Sequence, residues 1–400
     1  MNFLTVLSGC RIASFVYVRD SGSSNRSSRR KSRLPSIYED CTLMMSSPQQ
    51  QQGPISMSKR IKTVQDLHQK GLEPNDTIYV TFTKLESFVT DILPYINVNV
   101  VLITGQWQLL PVHVVGNSTT TTTTQKGQKP GVPPISTEII QSIVTHSNIM
   151  HWFCQNLDVY LGGSTEGKYY YDHPKISPFP YGLREGQNDL TTNTIYKSAV
   201  LQSLQQQPKN ETNNNNNNNN NENRIYVGYL TPTNKERRDM LIPSSPTKLS
   251  KEKYYEELSR HQYAVSPNGD RPECYRHYEA IGLNTIPITQ LSPTIHRHLL
   301  GSVVYNTHNM WNITKLEHDL LLLQKNPTNI DTATATISTL AATAQTINRN
   351  MVFEEYWMEY VERIVASKTT TNLVGPLRWW DRNANRRSTL ANLVDKEMND

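Results

Sequence analysis

Between Arg224 and Tyr305 short apolar runs alternate with amphipathic stretches, and this alternation restricts the fold more than any other feature of the chain. Arg224–Leu230 (RIYVGYL) reads as a strand, Tyr254–Arg260 as part of a helix starting near Ser250, Gln262–Val265 as a strand and Cys274–Ile281 as a helix. Thr285–Ile288 is the next strand, Pro293–Leu300 is helical, and Ser302–Tyr305 is a short last strand. Strands recurring at ~20-residue spacing with helices between them build βαβ units, which come together as a parallel sheet. This segment predicts one Rossmann-like half.

A second half is legible upstream. Thr77–Thr81 (TIYVT) and Asn99–Thr104 (NVVLIT) read as strands, with a short helix over Lys84–Ile92 between them. The second run ends in Gly105, as a buried parallel strand entering a loop often does. Helical periodicity returns over Ser136–Ser147, and Met150–Leu183 carries apolar pieces punctuated by prolines, the pattern of strands joined by ordered loops. The expected fold is therefore α/β, two Rossmann-like halves with parallel sheets interrupted by low-complexity insertions.

The insertions set the expected boundaries. Residues 1–60 read as a disordered basic, Ser- and Gln-rich arm, and 61–204 as the N-terminal half, carrying a Thr-rich loop at 117–130. Residues 205–223 hold nine consecutive asparagines, Asn213–Asn221, a run with nothing to bury and the character of a spacer. The C-terminal half spans 224–325, a Thr/Ala-rich segment 326–350, and a C-terminal helix and tail 351–400. In that last part Tyr356, Trp357, Tyr360, Val361, Ile364 and Val365 recur at helical spacing. The Trp379–Trp380 pair reads as a core-edge cap or a ligand platform.

Composition excludes some classes of function. Lysine plus arginine exceed aspartate plus glutamate by 40 to 35, and much of that excess sits in the arm at Arg26, Arg29, Arg30, Lys31 and Arg33, so the folded part gives no argument for a nucleic-acid partner. Cys10, Cys41, Cys154 and Cys274 show no CxxC pair and no zinc-ligand spacing, and no metal site is expected. Asn75, Asn117 and Asn312 begin glycosylation triplets that matter only in the secretory pathway. Leu4–Val18 is the most apolar stretch near the start, but Arg11 interrupts it and it falls short of the ~20 residues a span requires. No clear transmembrane span is expected.

Chemistry concentrates in Tyr263–Ile288, YAVSPNGDRPECYRHYEAIGLNTIPI. A strand delivers the chain into a loop containing Pro267, Gly269 and Pro272, and the loop runs into a helix that Asp270 can cap, with Glu273 as its capping-box partner. A helix opening at the carboxyl end of a parallel strand favours anions through its free N–H groups and dipole. Arg276, one turn in, matches phosphate oxygens with its planar fork. Glu279 follows at i+3 on the same face, where a carboxylate can accept from the hydroxyls of a ribose. The alternative is an ordinary exposed Arg276–Glu279 pair beside a tight connection. Ala280 and Gly282 are small enough for close backbone approach.

This stretch resembles the most characteristic motif of the exostosin-like glycosyltransferases. The match rests on Pro267, Gly269, Asp270, Arg276, Glu279, Ala280, Ile286, Pro287 and Ile288. VLITG (Val101–Gly105), WFCQN (Trp152–Asn156) and HPKISPFPYGL (His173–Leu183) resemble other blocks of that family, in the same order. The resemblance implies a GT-B-like fold and transfer of a sugar from a nucleotide-sugar donor, a UDP-sugar first of all, to a glycan or glycoconjugate acceptor, with inversion. It implies that Gly269, Asp270, Arg276 and Glu279 hold the donor, with the diphosphate on Arg276 and the ribose on Glu279, and that no cofactor is tightly bound and no metal is needed. Members are commonly Golgi type II proteins, so the resemblance admits the secretory pathway, while the sequence alone leaves a cytoplasmic placement open. A catalytically inactive glycan-binding or scaffolding protein of the same fold is the alternative.

Inverting transfer also needs a base for the acceptor hydroxyl. The candidates are Asp158, Asp172 and His173, all in the N-terminal half, and the sequence does not choose among them or exclude a purely structural role for each. His146 and His151 lack metal spacing and read as local hydrogen-bonding groups. Lys175 is placed either to reach a phosphate or to solvate a loop, and Tyr169–Tyr171 either to stack on sugar rings or to pack.

Overall fold

The structure is a computed structural model. It describes residue 13 and residues 15–17, 59–105, 135–156, 173–183, 195–196, 198–200, 202–203, 225–229, 247–268, 272–293, 295–306, 311–325, 347, 349–352 and 354–368. The chain is α/β and divides into two compact units. One holds the described residues up to Pro180 and the C-terminal helix from Trp357; the other runs from Tyr181 to Tyr356.

The first unit is built on strands β1 (Phe15–Tyr17), β2 (Lys59–Ile61), β3 (Asp76–Thr81), β4 (Val100–Gly105), β5 (Ile149–Gln155) and β6 (Ile176–Phe179). They lie in the order β2-β1-β3-β4-β5-β6 and every pairing is parallel. β4 is buried along its whole length, as a strand covered on both faces must be, which explains its unbroken apolar run. β6 is an edge strand and so tolerates Pro178, which has no N–H to donate. The sheet differs from the sequence expectation at one end: β1 and β2 come from residues read as a disordered arm. Three residues each are too few to give a periodic signal.

Around this sheet run α1 (Val64–Lys70), α2 (Leu85–Asp91) and α3 (Thr137–Thr145). The start of α1 is fixed by a capping box. The Thr63 hydroxyl accepts from Asp66 N–H at 3.2 Å, the Asp66 carboxylate accepts from Thr63 N–H at 3.0 Å, and the helix ends on Gly71 at φ 63°. α3 starts at Ser136 and buries Ile140, Ile143 and Val144. Gly105 closes β4 where a Cβ would run into the Gln155 side chain and the Tyr79 hydroxyl, so no larger residue fits without a shift.

The second unit holds β7 (Ile225–Tyr226), β8 (Tyr263–Ser266), β9 (Ile286–Thr289) and β10 (Val304–Tyr305), in the order β10-β9-β8-β7 and again all parallel. Helices α4 (Lys251–Arg260), α5 (Tyr275–Gly282) and α6 (Ile313–Lys325) complete it. Alternation along the strands sorts their faces. Ile225, Tyr263, Val265, Ile286, Ile288 and Val304 form one core with Trp311, Leu316 and Leu320 of α6 or just before it. At ~1.5–3 kcal/mol per large buried side chain, this cluster contributes strongly to the stability of the unit. The opposite face meets α5, whose His277 bonds the Thr289 hydroxyl. The helical residues within 195–203 belong to this unit, although the sequence grouped them with the N-terminal half.

The last helix, α7 (Glu354–Lys368), matches the expected apolar stripe. Trp357, Met358, Val361 and Val365 are buried, and Tyr360 sits edge-on to Phe153 with ring centroids 6.2 Å apart. Trp379–Trp380, Tyr169–Tyr171 and the Asn213–Asn221 run lie outside the described residues. No described helix is long and apolar enough to cross a membrane.

Candidate functional site

In the second unit β8 ends at Ser266, and Pro267 and Asn268 carry the chain off the sheet. Gly269, Asp270 and Arg271, the loop tip predicted to face a phosphate, lie outside the described residues. The chain is described again from Pro272, and α5 follows directly.

The helix start differs from the one expected. The N-cap of α5 is Cys274, not Asp270, and its capping-box partner is His277, not Glu273. His277 Nδ1 accepts from Cys274 N–H at 3.0 Å, which in the neutral ring leaves Nε2–H to donate to the Ser266 carbonyl at 3.1 Å or the Thr289 hydroxyl at 3.0 Å. His277 thus ties the helix start to the ends of β8 and β9. Ser266, the register partner of Thr289, keeps a buried hydroxyl with no hydrogen-bond partner among the described residues.

Glu273, released from capping, is the centre of a buried network. Its carboxylate accepts from Tyr181 N–H at 2.6 Å, from the Tyr278 hydroxyl, and from His298 Nε2 at 3.2 Å. Both members of the Glu273–His298 pair are sealed from solvent. Burial alone would raise the Glu273 carboxyl, but the His298 charge and hydrogen bond, then His296 and Tyr181 N–H, overturn this and bring it down to about 2. His296, buried beside the pair, is pushed down to about 4, mainly by burial. Sequence reasoning missed this network because its partners lie 25 and 92 residues from Glu273.

Arg276 and Glu279 do not pair with each other, and neither is an exposed surface residue. Arg276 Nη2 donates to the Tyr229 carbonyl at 2.8 Å, while its buried Nη1 has no hydrogen-bond partner among the described residues. Burial works against the guanidinium charge, but Tyr254, Cys274 and Glu279 together outweigh it and raise its pKa. The residue therefore holds a full positive charge, half-anchored, in the first turn of α5. Glu279 accepts from the Tyr254 hydroxyl at 3.0 Å and the Tyr255 hydroxyl at 3.2 Å, with Lys251 Nζ at 3.9 Å. The far end of α5 is held as firmly. Arg349 Nη2 donates to the Gly282 carbonyl at 2.6 Å, a cation at the negative end of the helix dipole, and to the Ser203 hydroxyl at 2.6 Å. The Tyr196 hydroxyl donates to the Tyr278 carbonyl at 3.0 Å. A Cβ on Gly282 would collide with that hydroxyl, so the small residue here is a packing requirement.

In the first unit, Asp158 and Asp172 lie outside the described residues. His173 precedes β6, at the amino edge of its sheet, opposite the carboxyl ends where open α/β sheets bind ligands. Its Nδ1 accepts from Lys175 N–H at 3.2 Å, and burial, then Lys175, lower its pKa. Lys175 neither reaches outward for a phosphate nor merely solvates a loop: half-buried, it donates to the His146 carbonyl at 3.0 Å. His146 Nδ1 accepts from Asn148 N–H at 3.3 Å, and His151 Nε2 bonds the Ser177 hydroxyl at 2.9 Å, the local roles expected of both.

Among the described residues no three His, Cys, Asp or Glu side chains converge as a metal site. No protein-family model matches the chain, and a comparison with curated proteins returns no match.

Proposed function

We propose that the chain is an exostosin-like glycosyltransferase whose second unit holds a nucleotide-sugar donor on α5. The observation that carries this reading is Arg276: charged, secured through one nitrogen to the Tyr229 carbonyl, and left with a second buried nitrogen, Nη1, that has no hydrogen-bond partner among the described residues. A buried N–H without an acceptor is costly, and a diphosphate oxygen would satisfy it. The residue sits in the first turn of a helix that follows the carboxyl end of a parallel strand, where dipole and free N–H groups add to the same field. In transfer the donor diphosphate leaves with growing negative charge, and a charge already in place stabilises that departure. Glu279, on the same helix, would take the ribose. No base is assigned for the acceptor hydroxyl: of the three candidates, Asp158 and Asp172 lie outside the described residues and His173 stands at the amino edge of its sheet.

Arg276→Ala tests the reading. Loss of such a group costs ~2–4 kcal/mol of transition-state stabilisation, or roughly 30- to 1000-fold in kcat/KM. The measurement is transfer and hydrolysis across a panel of UDP- and GDP-sugars, beside melting curves. Unchanged turnover in Arg276→Ala rejects the clamp. If no nucleotide sugar binds or turns over, the enzyme reading fails and the noncatalytic alternative gains.

A further inference from the structure

α4 carries Lys251, Tyr254 and Tyr255 at i, i+3 and i+4, a spacing that gathers them on one helix face. All three converge on a single carboxylate. Tyr254 donates to Glu279 Oε2 at 3.0 Å and Tyr255 to Oε1 at 3.2 Å, so each oxygen receives one phenol. Lys251 Nζ lies 3.9 Å from Oε1 and over both rings, 5.8 and 5.5 Å from their centroids. Burial first, then the Glu279 charge, hold both phenols far above their ordinary range, so they remain donors at any working pH.

An ionised carboxylate offers about four lone-pair positions. Two are taken by the tyrosines, one on each oxygen. What remains is one acceptor position per oxygen, on a carboxylate whose orientation the two phenols fix in advance. Two adjacent acceptors on one rigid group suit a cis-vicinal diol. We propose that Lys251, Tyr254 and Tyr255 are positioning residues that hold Glu279 ready for the 2′ and 3′ hydroxyls of a ribose, so that the site selects ribonucleotides over 2′-deoxyribonucleotides. The proposal rests on the nucleotide-sugar reading. Tyr196 supplies the contrast: it too reaches α5 through a hydroxyl, but it donates to the main-chain carbonyls of Tyr278 and Glu279.

Calorimetric titration with UDP and with 2′-deoxy-UDP separates the possibilities. The wild-type chain is expected to prefer UDP by about 10-fold, the range for a hydrogen bond to a charged group. In Tyr254→Phe/Tyr255→Phe that preference should collapse to about two-fold or less, with 2′-deoxy-UDP affinity little changed. Tyr196→Phe should lower the melting temperature and keep the preference. A double variant with the wild-type preference overturns the proposal and leaves the nucleotide reading standing. A wild-type chain that binds neither UDP nor GDP overturns the nucleotide reading itself. If the double variant does not fold, Tyr255→Phe alone and Lys251→Met carry the test, each expected to reduce the preference, and an unchanged ratio in both overturns the proposal.

Discussion

His146 and His173 of the first unit and His277, His296 and His298 of the second stand at opposite ends of their parallel sheets, with His261, just before β8, the exception in the second unit. In the first, His146 and His173 stand at the amino edge, tied to neighbouring backbone, and the described residues at the end of β5 are the neutral Gln155 and Asn156. In the second, His277, His296 and His298 follow β8 and β9 and are buried with Glu273, next to the helix that carries Arg276. Strand direction is the same in both sheets, so topology does not account for the difference. The second unit buries charge where an α/β sheet binds ligands, and this costs desolvation that a purely structural edge has no reason to incur.

The sharpest way to break this contrast is at Glu273. Glu273→Ala leaves the His298 ring, the Tyr278 hydroxyl and Tyr181 N–H buried without their acceptor. Leaving buried donors without their acceptor costs ~1–3 kcal/mol each, so the second unit should lose several kcal/mol of stability. Denaturant unfolding is the check. A loss below about 1 kcal/mol would show that the network adds no more than a surface pair, and the contrast between the edges would vanish.

Acid provides the next effect. His296 is lowered to about 4, so the folded chain binds fewer protons than the unfolded one between about pH 6.5 and 4. A depressed group stabilises the fold above its unfolded pKa and loses that contribution as pH falls, here up to ~3 kcal/mol. Glu273, lowered to about 2, adds a further loss below about pH 4.5. His277 acts in the opposite sense: despite burial it is raised, chiefly by Cys274, and its contribution fades as pH rises. Comparing variants removes that opposing slope. His296→Gln should flatten stability against pH between 6.5 and 4 relative to the wild type, and parallel curves would show that His296 is not held neutral.

Much of the architecture was legible because it is local. The apolar runs of β3, β4, β8 and β9, the helix starts near Ser136 and Ser250, and the stripe of α7 all lie within a few residues of their own signal. Arg276 and Glu279 were legible for the same reason, being one helical turn apart. What failed was non-local. The Asp270-to-Glu273 spacing looked like a capping box, but Glu273 gains more from His298 and Tyr181 than a solvent-exposed helix start could give it, and Cys274 takes the cap. Tyr254 and Tyr255 meet Glu279 across 25 and 24 residues. The available signal was modest: two adjacent aromatics at i+3 and i+4 from a lysine, on an otherwise charged helix.

The smallest effect lies in the first unit and sharpens the comparison from the other side. Lys175 is half-buried, donates to the His146 carbonyl at 3.0 Å, and follows His173 by two residues. Burial is the main cause that lowers both His146 and His173, and the Lys175 charge is the second. Lys175→Met keeps the apolar stem and removes the charge and the hydrogen bond. Stability should fall by no more than about 1 kcal/mol, because a lysine in partial contact with water can exchange its lost bond for solvation of the carbonyl. The titration should respond more clearly. Both imidazoles should move up towards their ordinary range, and neither should pass it, because burial still opposes their charge. NMR titration of the ring protons reads this directly. Movement in both would mark the amino edge as a local electrostatic cluster with no link to a ligand. If neither moves, Lys175 is screened by solvent, and its bond to His146 is a packing detail rather than the counterpart of the buried network around Glu273.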